Sequence, residues 1–157
     1  MGRIFQIKKS KESGQSLVEL AVSLVVLLIL IAGIVDLGRI AFYYIAMRDA
    51  AQEGASYGSI FPHDCTEIVN RVKAGAVDSS RIEVTVNING SPCQVCQNDF
   101  NVNCSVYVGN KIEVIVADEN FPITMPLIGA FIGQQISLET SIEDNVIRIP
   151  ECKCNIP

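Results

Sequence analysis

The residues with chemical potential in this chain are a glutamate inside an apolar run, six cysteines, a single histidine and one short acidic cluster. Glu19 is followed by sixteen uncharged residues, Leu20 to Val35. An acid at the centre of a membrane helix costs roughly 2.5–3.5 kcal/mol, less near an end where the side chain can snorkel. A carboxylate so placed serves either catalysis within the membrane or docking against a positive group in an assembly. His63 lies in a Pro-containing linker beside Asp64 and reads as an ordinary surface histidine. Asp118-Glu119-Asn120 lacks the alternating ligands and the glycine of a calcium loop and reads as a solvated turn. The sequence contains neither a phosphate-cradling glycine loop nor a nucleophile elbow. It thus points to no enzyme, cofactor, metal or small-molecule substrate.

Cys65, Cys93, Cys96, Cys104, Cys152 and Cys154 are even in number and clustered in turns. In an extracytoplasmic domain that pattern favours disulfides, and three bridges allow fifteen connectivities. Pairing within Cys152-Lys153-Cys154 would be strained, so those two reach elsewhere. The rival is a zinc site built from Cys93-x-x-Cys96 and Cys152-x-Cys154, whose second knuckle has the wrong spacing for a common ribbon. A redox Cys-x-x-Cys is weaker again, because no βαβ pattern surrounds it.

The flanks of the apolar run give it an orientation. Arg3, Lys8, Lys9 and Lys11 precede it against one acid, Glu12, which places the N-terminus on the cytoplasmic side and the C-terminus outside. Gly14 offers an unhindered backbone just before the run. Residues 15–35 make about 30 Å of helix, enough to cross a bilayer. A secretory signal would have a shorter apolar region and a small-x-small cleavage site. An uncleaved single-pass anchor carrying a binding module remains the plainer alternative. The chain is 49% hydrophobic with a formal charge of −5, and the leader contributes +3, leaving −8 on the remainder. So acidic a remainder argues against nucleic-acid binding.

A basic leader, glycine, glutamate five residues on and a long apolar helix resemble the class III signal of type IV pilin-like proteins. Gly14 to Gly58 is similar to the TadE-like pseudopilin family of Tad/Flp systems. It has the SLVEL start, then Asp36-Leu37-Gly38-Arg39, then the Tyr/Ala-rich FYYIAMRDAAQEGASYG. The resemblance implies cleavage after Gly14 by a prepilin peptidase, with Gln15 the new N-terminus. It also implies that Glu19 pairs with the Gln15 amine of an adjacent subunit, and that the partners are pilin subunits and the pilus machinery. Leu20 stands where small major pilins have tyrosine. Gln15 stands where many pilins have phenylalanine.

The elements that must carry these residues follow from periodicity. The expected fold is α+β, a pilin-like lollipop in which a long N-terminal helix packs on a small antiparallel sheet. Its parts are the leader (1–14), a transmembrane helix (15–35), an amphipathic extension (36–60) and an extracytoplasmic cysteine-rich domain (61–157). Asp36 and Arg39 are one turn apart and can pair at the outer membrane boundary. Ala46, Ala50, Gly54 and Gly58 form a smooth stripe that packs on the chain's own domain. Asp64-x-x-Glu67 is an acidic capping box opening a helix to about Gly75, with Ile68, Val69, Val72 and Ala76 as its apolar face. Strands are expected at 82–88, ending in an Asn89-Gly90 turn, at 111–116 and at 135–142, with a short fourth at 146–149. Two prolines make Phe121 to Gly129 a loop or edge segment that packs on its own core.

Overall fold

The computed structural model describes residues 13–93, 106–124 and 133–149. Nothing between Ser13 and Gly58 interrupts helical hydrogen bonding, and one helix, α1 (Ser13–Gly58), runs through all 46 residues. At 1.5 Å per residue it is about 69 Å long. It passes Gly33 and Gly38 without a break, although each weakens a helix by about 1 kcal/mol relative to alanine. Its first half is apolar and exposed on every side. It is long and apolar enough to cross a membrane, with none of its most apolar window buried in protein. From Asp36 onward one face turns inward, and Tyr43, Met47, Ala50, Ala51 and Ala55 enter the core.

The second helix, α2 (Cys65–Gly75), starts where the sequence places it. Asp64 Oδ1 accepts from the Glu67 amide at 3.2 Å, satisfying one orphan donor of the first turn. The reciprocal half of the capping box is missing. The Asp64 amide is taken by the Phe61 carbonyl, and Glu67 instead pairs with Arg71 at 3.4 Å. Ile68 and Val72 are fully buried, with Val69 and Ala76 packed beside them.

Four strands form one antiparallel sheet: β1 (Glu83–Ile88), β2 (Ser91–Pro92), β3 (Lys111–Pro122) and β4 (Gln135–Asn145), in the order β2-β1-β3-β4. β1 and β2 meet through the two-residue Asn89-Gly90 loop, both residues at positive φ (51° and 77°). Such backbone matches the twist of the flanking strands and suits Asn-Gly. Ile112, Val114 and Val116 point inward from β3 into the core that α1 covers, and each buried aliphatic chain contributes about 1.5–3 kcal/mol. The expected fourth strand at 146–149 is not one. Val146 is buried, but its amide bonds to the Asn110 carbonyl and that of Ile147 to Ser59, so the segment is pinned to two loops instead of joining a ladder.

The small-residue stripe is what lets these layers close. A Cβ added at Gly54 would lie 2.3 Å from Val72 Cγ2, and one at Gly58 2.3 Å from Ile112 Cδ1. Ala50, Gly54 and Gly58 therefore pack against α2 and β3 of the same chain. Cys65 and Cys93 form a disulfide with Cα atoms 5.9 Å apart. It ties the start of α2 to the residue after β2, and closing a loop of 28 residues stabilises by about 3–4 kcal/mol on the chain-entropy account. Overpacking at the stripe is the sharpest check on this arrangement. Gly54→Val in detergent-solubilised protein should lose about 2–3 kcal/mol in a urea titration. Gly38→Val, with open space around it, should stay within about 0.5 kcal/mol of the parent.

Candidate functional site at the helix–head junction

Asp36, Ile40, Tyr43 and Met47 follow one another at steps of four, three and four residues, so they share one face of α1. That face is the one turned to the head. Asp36 is only 6% exposed, although it lies one residue beyond the uncharged run. Arg39, one turn on, sits 3.6 Å from Asp36 Oδ1 and donates to Thr124 Oγ1 across the junction. The pair therefore faces the folded domain.

The residue it meets is Phe121. The inward alternation Ile112, Val114, Val116, Asp118 would place Asn120 inside and Phe121 outside. An extra residue in β3 corrects this: Asp118 pairs with Leu138 and Phe121 with Ile136, three steps against two. The bulge reverses the alternation and turns Phe121 to the core, where it is 4% exposed. Phe121 and Pro122, expected in a loop or edge, thus end β3 where only β4 pairs with it, and Phe121 does pack on the core. Asp118 is buried too, which corrects its reading as part of a solvated turn. Its Oδ1 accepts from the Asn120 amide at 3.0 Å, and its Oδ2 lies 3.3 Å from the Arg81 guanidinium. Arg81 also donates to the Asn120 carbonyl at 2.6 Å, clamping the bulge.

Phe121 is consequently held between two cations, Arg39 at 5.7 Å and Arg81 at 5.6 Å from its ring centroid, with the Tyr43 ring at 4.7 Å. Each cation–ring contact is worth about 0.5–1 kcal/mol at an exposed site and more when desolvated. Burial, and next the adjacent Asp118 carboxylate, push the Tyr43 hydroxyl up to about 12. The arrangement is a joint that fixes the angle between helix and head.

The other candidate residues lie elsewhere. Gly14, Gln15 and Glu19 occupy the first turns of α1, all exposed, with open space around Gly14. Glu19 is about 26 Å along the helix from Asp36. Gly38 faces away from the head. Cys65 and Cys93 are bonded, while Cys96, Cys104, Cys152 and Cys154 lie outside the described residues. Among the described residues, no three metal-type side chains gather. His63 is half-buried, and burial lowers its pKa. Tyr43, Arg81 and Thr124 were not singled out as site residues from sequence, while Asp118 was read as part of a solvated turn and Phe121 as the start of a loop or edge segment. One signal was available, since the alternation of β3 continues onto Asp118 and puts an acid on the inward face.

Residues 14–56 match the family of TadE-like proteins. No curated protein and no solved structure matches the chain significantly. The matched stretch runs from the glycine before the apolar run to within two residues of the end of α1, and so takes in Asp36, Gly38 and Arg39.

The joint carries a pH signature. A tyrosine whose folded pKa stands above its ordinary value of 10.0 contributes stability below pH 10 that is lost as pH rises toward 12. Denaturant stability of the solubilised protein should fall across that window. Tyr43→Phe should flatten the fall, leaving the smaller share due to Tyr57, whose hydroxyl is also raised by burial and by Asp64. An unchanged slope would contradict the buried placement of Tyr43.

Proposed function

We propose, taking residues 14–56 as a TadE-like segment, that this chain is a structural, pilin-like protein of a Tad-type pilus. A prepilin peptidase cuts it after Gly14. Residues 15–35 then hold it in the cytoplasmic membrane, N-terminus inside, until it is drawn into assembly with other pilin or pseudopilin subunits. The observation that carries this reading is the coincidence of the matched segment with a helix of two characters. Its first half exposes apolar side chains on all sides, and its second half is built into the head.

Three further features support the reading. The basic residues before Gly14 suit a cytoplasmic leader. The Cys65–Cys93 bridge suits an oxidising compartment outside the cytoplasm. Glu19, exposed in the second turn, is costly in lipid unless a positive group meets it, and the free amine of Gln15 on a neighbouring subunit is such a group. Pairing them sets the axial register between subunits.

Glu19→Ala removes the pairing charge and also makes the helix easier to insert. The variant should reach the membrane fraction at parental levels and be absent from sheared pilus fractions. Normal incorporation would take Glu19 out of the mechanism.

A further inference from the structure

The charges that interrupt the apolar run are both on one side of α1. Asp36 lies on the buried face and Arg39 reaches across the junction to Thr124 and Phe121. On the opposite face, Ile34, Leu37, Gly38, Ala41, Phe42 and Ile45 continue the apolar surface without a polar residue until Arg48 and Asp49. Ile34, Leu37, Phe42 and Ile45 are each 56–69% exposed. The exposed apolar stripe is therefore ten residues longer on the back of the helix than the uncharged run suggests.

Distances along the helix decide where that stripe sits. Asp36 is about 32 Å from Gln15, close to the thickness of the hydrocarbon core, about 30 Å. The head reaches down α1 as far as Asp36 and Arg39, so little gap separates it from the bilayer surface. Ile45 is about 45 Å from Gln15, and a tilt of about 40°, the upper end for membrane helices, leaves the axis there about 5 Å above the hydrocarbon edge. The axis at Asp36 is then about 6 Å below that edge, with Asp36 itself on the upward, head-covered face. A helix that is apolar for longer on one face gains most by leaning toward that face. Phe42 and Tyr44 then stand at headgroup level, where aromatic side chains are enriched.

On the reading given under Proposed function, we propose that α1 leans onto the outer leaflet, so that Leu37, Ala41, Phe42 and Ile45 lie in the headgroup–acyl boundary while the subunit waits in the membrane. The occupant of this face is lipid. The apolar surface is continuous with the membrane-crossing segment, and it ends in charge at the height where the headgroup layer ends. Arg48 and Asp49 mark that upper limit.

The chain contains no tryptophan, so a single introduced indole reports on one place. Phe42→Trp, Ile29→Trp and Phe61→Trp variants would be reconstituted in phosphatidylcholine vesicles brominated either near the glycerol backbone or near the acyl midpoint. The proposal expects Phe42→Trp to show blue-shifted emission, strong loss with shallow bromines and protection from aqueous iodide. Ile29→Trp should lose emission to deep bromines, and Phe61→Trp, at the far end of the head, should stay open to iodide. Iodide quenching of Phe42→Trp together with deep-bromine quenching of Ile29→Trp would overturn the leaning helix and leave the membrane anchor standing. Protection of Phe42→Trp that vanishes on dilution with excess lipid would assign the face to a second copy and also overturn the proposal. Failure of Ile29→Trp to respond to deep bromines would remove the anchor itself, and the proposal with it.

Discussion

One helix has to satisfy two surroundings, and most of what is distinctive in this chain follows from that demand. From Leu20 to Val35 the side chains are uncharged and almost all apolar around the whole circumference, and the head covers none of the most apolar window. Beyond Asp36 the same helix must offer one face to a core and another to solvent or membrane. The transition is made without breaking the helix, by placing Asp36 on the face that the head covers. Packing of the outer half then fixes the remaining architecture. Ala50, Gly54 and Gly58 bring α2 and β3 against the helix backbone, and the disulfide holds α2 to the β1–β2 hairpin from the far side.

The junction shows how such a layout can resist bending. A long helix attached to a head only through its distal turns would pivot. Here the contact is extended back toward the apolar half of the helix by the Phe121 ring, which the β3 bulge turns inward and which two arginines and a tyrosine surround. Arg39 is supplied by the helix and Arg81 by the segment leading into β1, two residues ahead of it, so the ring couples both parts of the chain. Buried charge at this point is tolerated because Asp118 has two partners, the Asn120 amide and Arg81.

Much of this was legible in the sequence. Strict alternation at Ile82, Val84, Val86 and Ile88 gave β1, Asn89-Gly90 gave its turn, and Asp64 gave the start of α2. The four-residue recurrence of Ala and Gly gave the face of α1 that packs on its own domain. The misses share a physical cause. Asp118-Glu119-Asn120 has the composition of a solvated turn, and a bulge stabilised by a distant arginine leaves no local signature. β3 therefore runs to Pro122, six residues past Val116. The bonds that hold Val146 and Ile147 to Asn110 and Ser59 are likewise long-range, and β-branched composition alone mistook them for a strand. The side of the helix on which Asp36 and Arg39 lie could be read only once the head was in place.

The proposed function turns on one step, cleavage after Gly14 that frees the helix as a pilin-like element. The intact mass of the membrane-associated protein, from cells containing the cognate prepilin peptidase, tests it most directly. Processing at this site gives a chain beginning at Gln15. A chain that keeps Met1 to Gly14 despite active peptidase would contradict it, leaving a plain membrane anchor and moving the search for function to the outer domain.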